Sequence, residues 1–349
     1  MYNNLRKLKV EGGGIGNAGQ YRLGGRTVRA VWQQTLIVAA VALASCGTPT
    51  TKVKKESGYA RPSARMDGAA AVMQGKVYYI GGVDRRGRAI AETESYDPQN
   101  DLWHKKKAMR SARSSMPAVA FDNQIYVMGG RSGDEILDVM EIYDPGSDTW
   151  TPGPAMSTAR WRHMGAVYAG KLFAFGGIAG TGQARRVLKT VEVFDPRSKS
   201  WSPAAPMPEG RSGAAVAVLG SKIYLIGGKL GAGQGVQSTP TVQIYDAAVN
   251  KWTRGKSLPA GMVSGCAVVH SNQIWLLGGS RGAGTSDTVE VYSHANLAWR
   301  SAKSLSKPRA GHACAQIGDV AYIVGGLSRP TVSAMLSDAE TYPLGQPTS

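Results

Sequence analysis

The stretch Ile125-Tyr126-Val127-Met128-Gly129-Gly130 decides the fold, because its pattern returns along most of the chain. A short apolar run ends in a glycine pair six times, at Gly81-Gly82, Gly129-Gly130, Gly176-Gly177, Gly227-Gly228, Gly278-Gly279 and Gly325-Gly326. The steps between these pairs are 48, 47, 51, 51 and 47 residues. A self-similar period near fifty indicates a repeat architecture, in which the units form one closed object rather than several domains.

Each glycine pair is accompanied by aromatic residues at fixed places. The first aromatic lies three residues before the pair, at Tyr78, Tyr126, Phe173, Tyr224, Trp275 and Tyr322. The second follows the first glycine by fourteen to eighteen residues, at Tyr96, Tyr143, Phe194, Tyr245, Tyr292 and Tyr342. A tryptophan comes seven residues later in five units, at Trp103, Trp150, Trp201, Trp252 and Trp299.

The local sequence of each unit is typical of short β-strands. The run at residues 223–226 is rich in β-branched and aromatic residues, and residues 191–194 alternate apolar and polar side chains. Turn sequences such as Asp144-Pro145-Gly146-Ser147 separate the runs. No stretch of the repeat region has a helical period, so we predict four short antiparallel strands in each unit.

The glycine pair, the spaced aromatics and the period together resemble kelch repeats, which form the blades of β-propellers. The resemblance covers residues 53–349 and implies an all-β, six-bladed propeller with four antiparallel strands per blade. By register, the fourth strand of the sixth blade corresponds to the segment around Lys55. We therefore expect residues 51–59 to close the ring; the alternative is a linker that leaves the ring open.

Charged residues also recur with the repeat. Sixteen residues before each glycine pair stand Arg65, Arg113, Arg160, Arg211, Met262 and Arg309. We call this place the opening position of each blade. Two residues before each second aromatic stand Glu94, Glu141, Glu192, Gln243, Glu290 and Glu340. Because each acid precedes the next arginine by nineteen residues, we predict an ion pair between each glutamate and the arginine of the next blade, with Glu340 pairing Arg65. These arginines are then part of the scaffold rather than of a ligand site.

The segment before the repeats has the layout of a secretory signal, which we assign to residues 1–45. Residues 35–44 are the one long apolar run, too short for a membrane span of about 20 residues, and they follow a basic stretch with no acid after Glu11. The run ends Leu43-Ala44-Ser45-Cys46, which resembles the lipobox of bacterial lipoproteins, and Gly47 follows. This resemblance implies lipidation of Cys46, with residues 46–52 as the anchor linker; ordinary signal cleavage into the periplasm is the alternative.

Two further features of the sequence bear on processing. Residues 1–27 are long for the start of a signal, and a misassigned start codon is one explanation that we consider. They contain Gly14-x-Gly16-x-x-Gly19 but lack the βαβ context of a dinucleotide site. Cys266 and Cys314 fall on the predicted inner strands of neighbouring blades. We expect them to be buried free thiols, because a disulfide needs Cα atoms within about 7 Å.

The lengths of the units show where function is expected. The second aromatic precedes the next glycine pair by 33 residues in all five cases, so the variation lies in the loop between the second and third strands. That loop shares one face of the ring with the connection into the next inner strand, and repeat proteins place binding sites on such faces.

This mouth of the channel is predicted to be basic. Residues 46–349 keep 35 of the 41 basic and 23 of the 24 acidic residues, a net charge of +12, and a concentrated basic surface attracts anions. The candidate ligand-binding residues of the loops are Arg85, Arg131, Arg186, Lys229, Arg281 and Arg329. Trp161, Arg162, His163 and, in blade six, His312 join them, because they follow the opening arginine where kelch propellers commonly line the pocket. The alternatives are a generic solvated face and a Trp161 that packs against a loop.

Catalytic signatures are sparse in this sequence. The five histidines lack metal-ligand spacing, no Gly-x-Ser-x-Gly elbow occurs, and the cysteine, tyrosine and histidine set of kelch-like copper-radical oxidases is missing. We therefore expect no cofactor and no metal. Nucleic acid would suit the charge, but the expected envelope location argues against a nucleic-acid partner. The leading hypothesis is a non-enzymatic propeller lipoprotein of the bacterial envelope, on the periplasmic side of the outer membrane, that binds an anionic glycan or a protein.

An enzyme remains as the alternative function. Periplasmic sialic-acid mutarotases are six-bladed kelch proteins, and a basic mouth suits a carboxylated sugar. Ring-opening chemistry needs an acid or base near that carboxylate, for which Asp67, Asp84 or His163 would have to serve. A third possibility is a purely structural component of the envelope.

Overall fold

A computed structural model describes residues 58–232, 236 and 238–345, together with two short strands near the N-terminus. The chain divides into two compact units, residues 1–54 and 55–349. In the first unit, β1 (Arg22–Leu23) pairs antiparallel with β2 (Arg26–Thr27). The signal cleavage region, Cys46 and the linker at 46–52 lie outside the described residues.

The second unit contains six antiparallel blade sheets and two small two-stranded sheets in the loops. Blade one consists of β3 (Ala69–Met73), β4 (Lys76–Ile80), β5 (Thr93–Asp97) and β6 (Leu102–Lys106). Blade two consists of β7 (Ala118–Phe121), β8 (Gln124–Ser132), β9 (Glu135–Asp144) and β10 (Thr149–Gly153). Blade three consists of β11 (Met164–Tyr168), β12 (Lys171–Phe175), β15 (Val191–Asp195) and β16 (Ser200–Ala204), and its loop carries β13 (Ile178–Ala179), a 3-10 turn (Gly182–Ala184) and β14 (Arg186–Val187).

The remaining three blades repeat this order. Blade four consists of β17 (Ala215–Leu219), β18 (Lys222–Ile226), β19 (Val242–Asp246) and β20 (Lys251–Gly255). Blade five consists of β21 (Cys266–His270), β22 (Gln273–Leu277), β25 (Val289–Ser293) and β26 (Ala298–Ala302), with β23 (Ser280–Arg281) and β24 (Gly284–Thr285) in its loop. Blade six has three described strands, β27 (Ala313–Ile317), β28 (Val320–Val324) and β29 (Ala339–Pro343), and a 3-10 turn (Val332–Ala334). The predicted all-β, six-bladed propeller is confirmed.

The core lies between neighbouring blades rather than inside one sheet. Between blades one and two, for example, Ile80 and Tyr78 pack against Ile125 and Tyr143. In blades one to five, the second aromatic also packs against the tryptophan of its own outer strand, as Tyr143 does against Trp150 at 4.9 Å between ring centroids. The indole of Trp150 donates a hydrogen bond to the carbonyl of Lys107 in the preceding blade, at 2.7 Å. The aromatic repeat therefore joins blades as well as strands.

The glycine pairs are required where one blade touches the next. Gly129 has φ +55°, and a Cβ there would come within 2.7 Å of the carbonyl oxygen of Arg160. The amide of Gly130 donates to that same carbonyl at 2.9 Å. The equivalent bond from Gly326 to the carbonyl of Arg65 joins blade six to blade one, also at 2.9 Å. This contact closes the ring through the backbone.

The recurring arginines are buried scaffold, as predicted, but their predicted partners are wrong. Arg65 bonds Glu94 of its own blade at 2.6 Å, not Glu340 across the closure. Arg160 likewise bonds Glu192 of its own blade, and Arg309 bonds Glu340 at 3.3 Å. The reason is that the opening arginine lies beside the third strand of the sheet it enters. The prediction chose the glutamate that precedes each arginine because it is nearer in sequence. The sheet instead brings the glutamate that follows the arginine into contact with it.

The described end of the predicted closing strand contacts blade one. Tyr59 exchanges two backbone hydrogen bonds with Trp103 of β6, at 2.9 and 2.8 Å, so at this residue the chain pairs with blade one rather than with β29. Residues 51–57 lie outside the described residues, and their role in closure stays a prediction.

The expectation of buried free thiols is wrong. Cys266 and Cys314 form a disulfide between the inner strands of blades five and six, with Cα atoms 6.0 Å apart, and both are half-buried along the channel. Inner strands converge toward the propeller axis, so adjacent blades approach closely there and meet the distance requirement of a disulfide.

Candidate functional site

Six backbone hydrogen bonds form a closed circle at one mouth of the channel. The six residues lie two positions after each opening position, and all have left-handed φ values between 52° and 63°: Asp67, Ser115, Arg162, Gly213, Ser264 and Gly311. Each amide donates to the carbonyl of the equivalent residue in the preceding blade, at 2.7 to 2.9 Å, and Asp67 completes the circle by donating to Gly311. We call this circle the peptide ring. It narrows the channel and holds these six positions at the mouth.

The variable loops surround the same mouth, as predicted. In each blade, the residue that follows the opening arginine forms an isolated β-bridge with the residue after the glycine pair, as Trp161 does with Ile178 and Ser212 with Lys229. The start of the inner strand and the start of the loop are thus fixed side by side. Residues from several loops can therefore act on one ligand.

A basic depression of about 640 Å³ opens beside the peptide ring, across blades two to four. Its charged lining residues are Arg131, Arg162, Arg185 and Lys229, and its described lining includes no acid. Arg185 is exposed, whereas the other three are half-buried. The structure thus brings together three of the predicted loop and ring cations, and Arg185 adds a fourth.

Trp161 supports the cations rather than offering an open surface. It is 8% exposed. The guanidinium carbon of Arg131 lies 4.3 Å from its ring centroid, and that of Arg162 lies 5.3 Å away. These are cation–π distances, so the indole fixes both guanidinium groups at the edge of the depression.

The cations of the depression are only partly neutralised. Burial lowers the pKa of Arg131, and repulsion from Arg162 and Arg185 lowers it further, against the opposing effects of Asp67 and Asp134. Arg162 lies 3.5 Å from the Asp67 carboxylate, which also accepts a hydrogen bond from the Ser115 hydroxyl at 3.2 Å. Two carboxylates thus face four cations, which leaves a positive potential for an incoming anion.

Four of the predicted basic residues lie elsewhere. Arg85, Arg186 and Arg329 are exposed on their loops and do not line the depression. Arg281 turns to Glu290, at 2.6 Å, and this pair takes the place of the ion pair that Met262 cannot form.

The two candidate histidines are buried between blades. His163 and His312 occupy equivalent positions, three residues after the opening arginine, and are 5% and 6% exposed. Burial, and then the neighbouring Arg309, lowers the pKa of His312 to about 4. Burial and Arg160 also hold the pKa of His163 well below its usual value. Both rings are therefore neutral at pH 7. Nε2 of His312 forms a hydrogen bond with the carbonyl of Leu277 at 3.1 Å, and both residues border the central channel rather than the basic depression.

Of the three groups considered for acid–base chemistry, Asp67 alone faces the mouth beside a cation of the depression. His163 is buried, and Asp84 is held by backbone and side-chain hydrogen bonds from Arg88, which lower the pKa of its carboxyl. Among the described residues there is no group of three or more potential metal ligands. No helix within the described part of the chain is long and apolar enough to cross a membrane.

Sequence reasoning missed the peptide ring. Its signal was present, because the position two residues after each opening arginine carries small or hydrogen-bonding residues in five of six units. Arg162 is the exception, and it is the ring residue that enters the basic depression.

Comparison with known proteins places the chain in a family. Residues 20–228 and 153–326 match the family described as the KLHDC2/KLHL20/DRC7 Kelch-repeats domain. The chain therefore belongs to the kelch-repeat family.

Curated relatives share the repeats across part of their length. The chain is 30% identical over 235 residues to Kelch-like protein terF of Aspergillus terreus, covering 62% of this chain and 50% of that protein. It is 42% identical over 217 residues to Kelch-like protein 7 of Rattus norvegicus, covering 62% of this chain and 36% of that protein. The chain thus matches half or less of the length of these relatives.

A solved structure shares the fold. The structure titled "Structure of YjhT" superposes with a TM-score of 0.70 at 20% sequence identity and covers 82% of this chain and 97% of that one. At this identity the likeness concerns the fold alone.

Proposed function

We propose that this kelch propeller is a non-enzymatic binding module whose basic depression holds an acidic segment of a protein partner. The observation that carries the proposal is the set of four cations that line the depression with Trp161, outnumbering the nearby carboxylates of Asp67 and Asp134. Guanidinium groups fixed in place bind carboxylates with two parallel hydrogen bonds, which gives both affinity and orientation.

Several loops contribute to the depression, so an extended ligand fits it better than a compact one. Arg131 lies in blade two, Arg162 and Arg185 in blade three, and Lys229 in blade four. A peptide with spaced carboxylates can contact all four cations at once. A single carboxylated sugar can pair with one or two of them.

The covered indole favours a peptide over a glycan. Sugar-binding sites present an open aromatic face on which the ring stacks, but Trp161 is buried beneath two guanidinium groups. A glycan would have to bind by charge alone. An anionic glycan is therefore the second outcome of the test below rather than the proposal.

We further propose that the protein works in the bacterial envelope, anchored through Cys46. The basic and apolar layout of residues 22–46 supports this location. The Cys266–Cys314 disulfide supports it independently, since disulfides persist in oxidising compartments and are rare in the cytosol.

The test measures binding of a fluorescent oligoglutamate peptide and of oligogalacturonate by anisotropy. We expect salt-sensitive binding of the peptide that weakens at least about tenfold in Arg185→Gln/Lys229→Gln, because two charge-assisted contacts are lost. The control Arg85→Gln/Arg329→Gln removes the same charge from loops outside the depression and should stay within about twofold of the parent protein.

Each outcome decides between ligands. Equal weakening in both double variants would show that net charge, not the depression, governs binding. Binding of oligogalacturonate without the peptide would replace the acidic protein segment by an anionic glycan. Binding of neither would reject the depression as a site for acidic ligands.

A further inference from the structure

The outer rims of the blades differ sharply in charge. We compare the segments that run from the start of the fourth strand to the residue before the next opening position. In blades two and three, residues 149–159 and 200–210 contain a single charged residue, Glu209. In blades one, four and five, residues 102–112, 251–261 and 298–308 contain no acid and ten basic residues: Lys105, Lys106, Lys107, Arg110, Lys251, Arg254, Lys256, Arg300, Lys303 and Lys307.

We call the six of these residues that lie on the neighbouring blades four and five the basic flank: Lys251, Arg254, Lys256, Arg300, Lys303 and Lys307. All six are exposed. Within the described residues, two of them meet carboxylates: Lys307 bonds Asp338 at 2.8 Å, and Arg254 lies 4.0 Å from Glu209 with both side chains largely in solvent. The positive charge of the flank is therefore mostly uncompensated.

The basic flank lies on one side of the propeller, because blades four and five are neighbours in the ring. Their inner strands β17 and β21 contact each other, and the amide of Gly228 in blade four donates a hydrogen bond to the carbonyl of Met262 at the start of blade five, at 2.7 Å. Blade one lies opposite blade four in the six-bladed ring, so its basic residues face another direction.

We propose that the basic flank binds the anionic headgroups of a lipid bilayer, so that the propeller lies on its side. Basic residues close to an anionic membrane each strengthen binding, and their effects accumulate over a broad surface. In this orientation the mouth opens parallel to the membrane, where a partner can reach the basic depression. The flank and the depression are then two surfaces with separate tasks.

The chemistry of the flank favours headgroups over nucleic acid. Four of its six residues are lysines, whose compact ammonium groups interact as point charges without fixed geometry. Single-stranded nucleic acid binds where aromatic faces are available for stacking. The rim tryptophans Trp252 and Trp299 are half-buried, and their indole N–H groups donate to backbone carbonyls at 2.9 Å.

The test uses the full chain with Cys46→Ser, which removes the anchor, in flotation with vesicles. We expect it to bind phosphatidylcholine vesicles that contain a quarter phosphatidylglycerol, less at high salt, and not to bind pure phosphatidylcholine. The variant Lys251→Glu/Lys256→Glu/Lys303→Glu should lower the partition coefficient at least about tenfold, since each basic residue contributes about fivefold. These lysine side chains are exposed, so the substitutions leave the packed core intact.

The matched control is Arg85→Glu/Arg86→Glu/Arg329→Glu, which makes the same change of charge on exposed mouth loops outside the depression. It should float like the parent protein. An equal loss in both triple variants, or binding to neutral vesicles, would overturn the proposal. Vesicles should also protect Lys251 and Lys303 from acylation, read by mass spectrometry, and leave Lys199 on blade three reactive; equal reactivity with and without vesicles would likewise overturn it.

Discussion

Blades three and five place a cation beside their buried glutamate in different ways. In blade three, Arg160 is fully buried and pairs with Glu192, which is also hidden from solvent. In blade five, Met262 fills the arginine position with no exposure, and Glu290 instead meets Arg281, which reaches in from the variable loop at 20% side-chain exposure. Both blades therefore keep a buried glutamate beside a cation, although the cation comes from different parts of the sequence.

Blade four shows the complementary replacement. Arg211 is retained, but Gln243 stands where the glutamate should be, and Glu209 pairs with the arginine at 3.0 Å. The comparison teaches that neutralisation of the buried charge is what the fold conserves, not a particular residue pair. This agrees with the high cost of leaving one buried charge without a partner.

Removing the arginine of the Arg160–Glu192 pair in blade three should give the largest loss of stability. Arg160→Met installs the residue that blade five carries, so the side chain fits, but Glu192 is left buried without a cation. We expect a loss of about 3–5 kcal/mol in the free energy of unfolding, measured by denaturant titration. Adding Glu192→Gln, as blade four has at this position, should restore part of it; a single variant as stable as the parent would contradict the comparison.

Opening the disulfide tests whether blade five depends on its covalent link to blade six. Cys266→Ser/Cys314→Ser removes a cross-link between residues 48 apart in sequence, and we expect a loss of about 2–4 kcal/mol. Thermal unfolding with and without reductant checks this. Reductant should lower the Tm of the parent protein and leave the double variant unchanged, and an unaffected parent would show that the link carries no stability.

Low pH should reduce the stability of the protein through its buried histidines. Unfolded His312 has its ordinary pKa near 6.5, while burial lowers the folded pKa to about 4, so protons bind the unfolded chain first. The contribution is full above pH 6.5 and is lost as pH falls toward 4, by at most about 3 kcal/mol. His312→Met, which copies Met116 of blade two, should flatten the stability profile in this window; an unchanged slope would contradict the assignment.

The smallest loss of stability is expected when the Arg281–Glu290 pair of blade five is removed. Arg281→Gln removes a cation that is partly in solvent, so water can compensate Glu290, and we expect a loss of about 1 kcal/mol. Denaturant titration beside Arg160→Met gives the comparison directly. A loss as large as that of Arg160→Met would show that the loop arginine is as tightly coupled as the buried one.

Much of the fold could be predicted from local pattern. Glycine pairs, alternating strands and stacked aromatics report contacts within a repeat or between adjacent repeats, and these are the contacts that sequence spacing encodes. The site was predicted less well. The loop residues Arg131 and Lys229 line the same depression, but Arg85 and Arg329 do not, because loops of different blades reach different points around the mouth.

By itself, the sequence determined the number of blades, their strands, the face that carries the variable loops and the scaffold role of the buried arginines. Tertiary structure alone decided which acid each arginine contacts and that Cys266 and Cys314 form a disulfide. It also decided that six residues with left-handed φ values form the peptide ring. The physical reason is ring closure. Converging inner strands bring together residues that are far apart in sequence, and their distances depend on how all six blades pack around one axis.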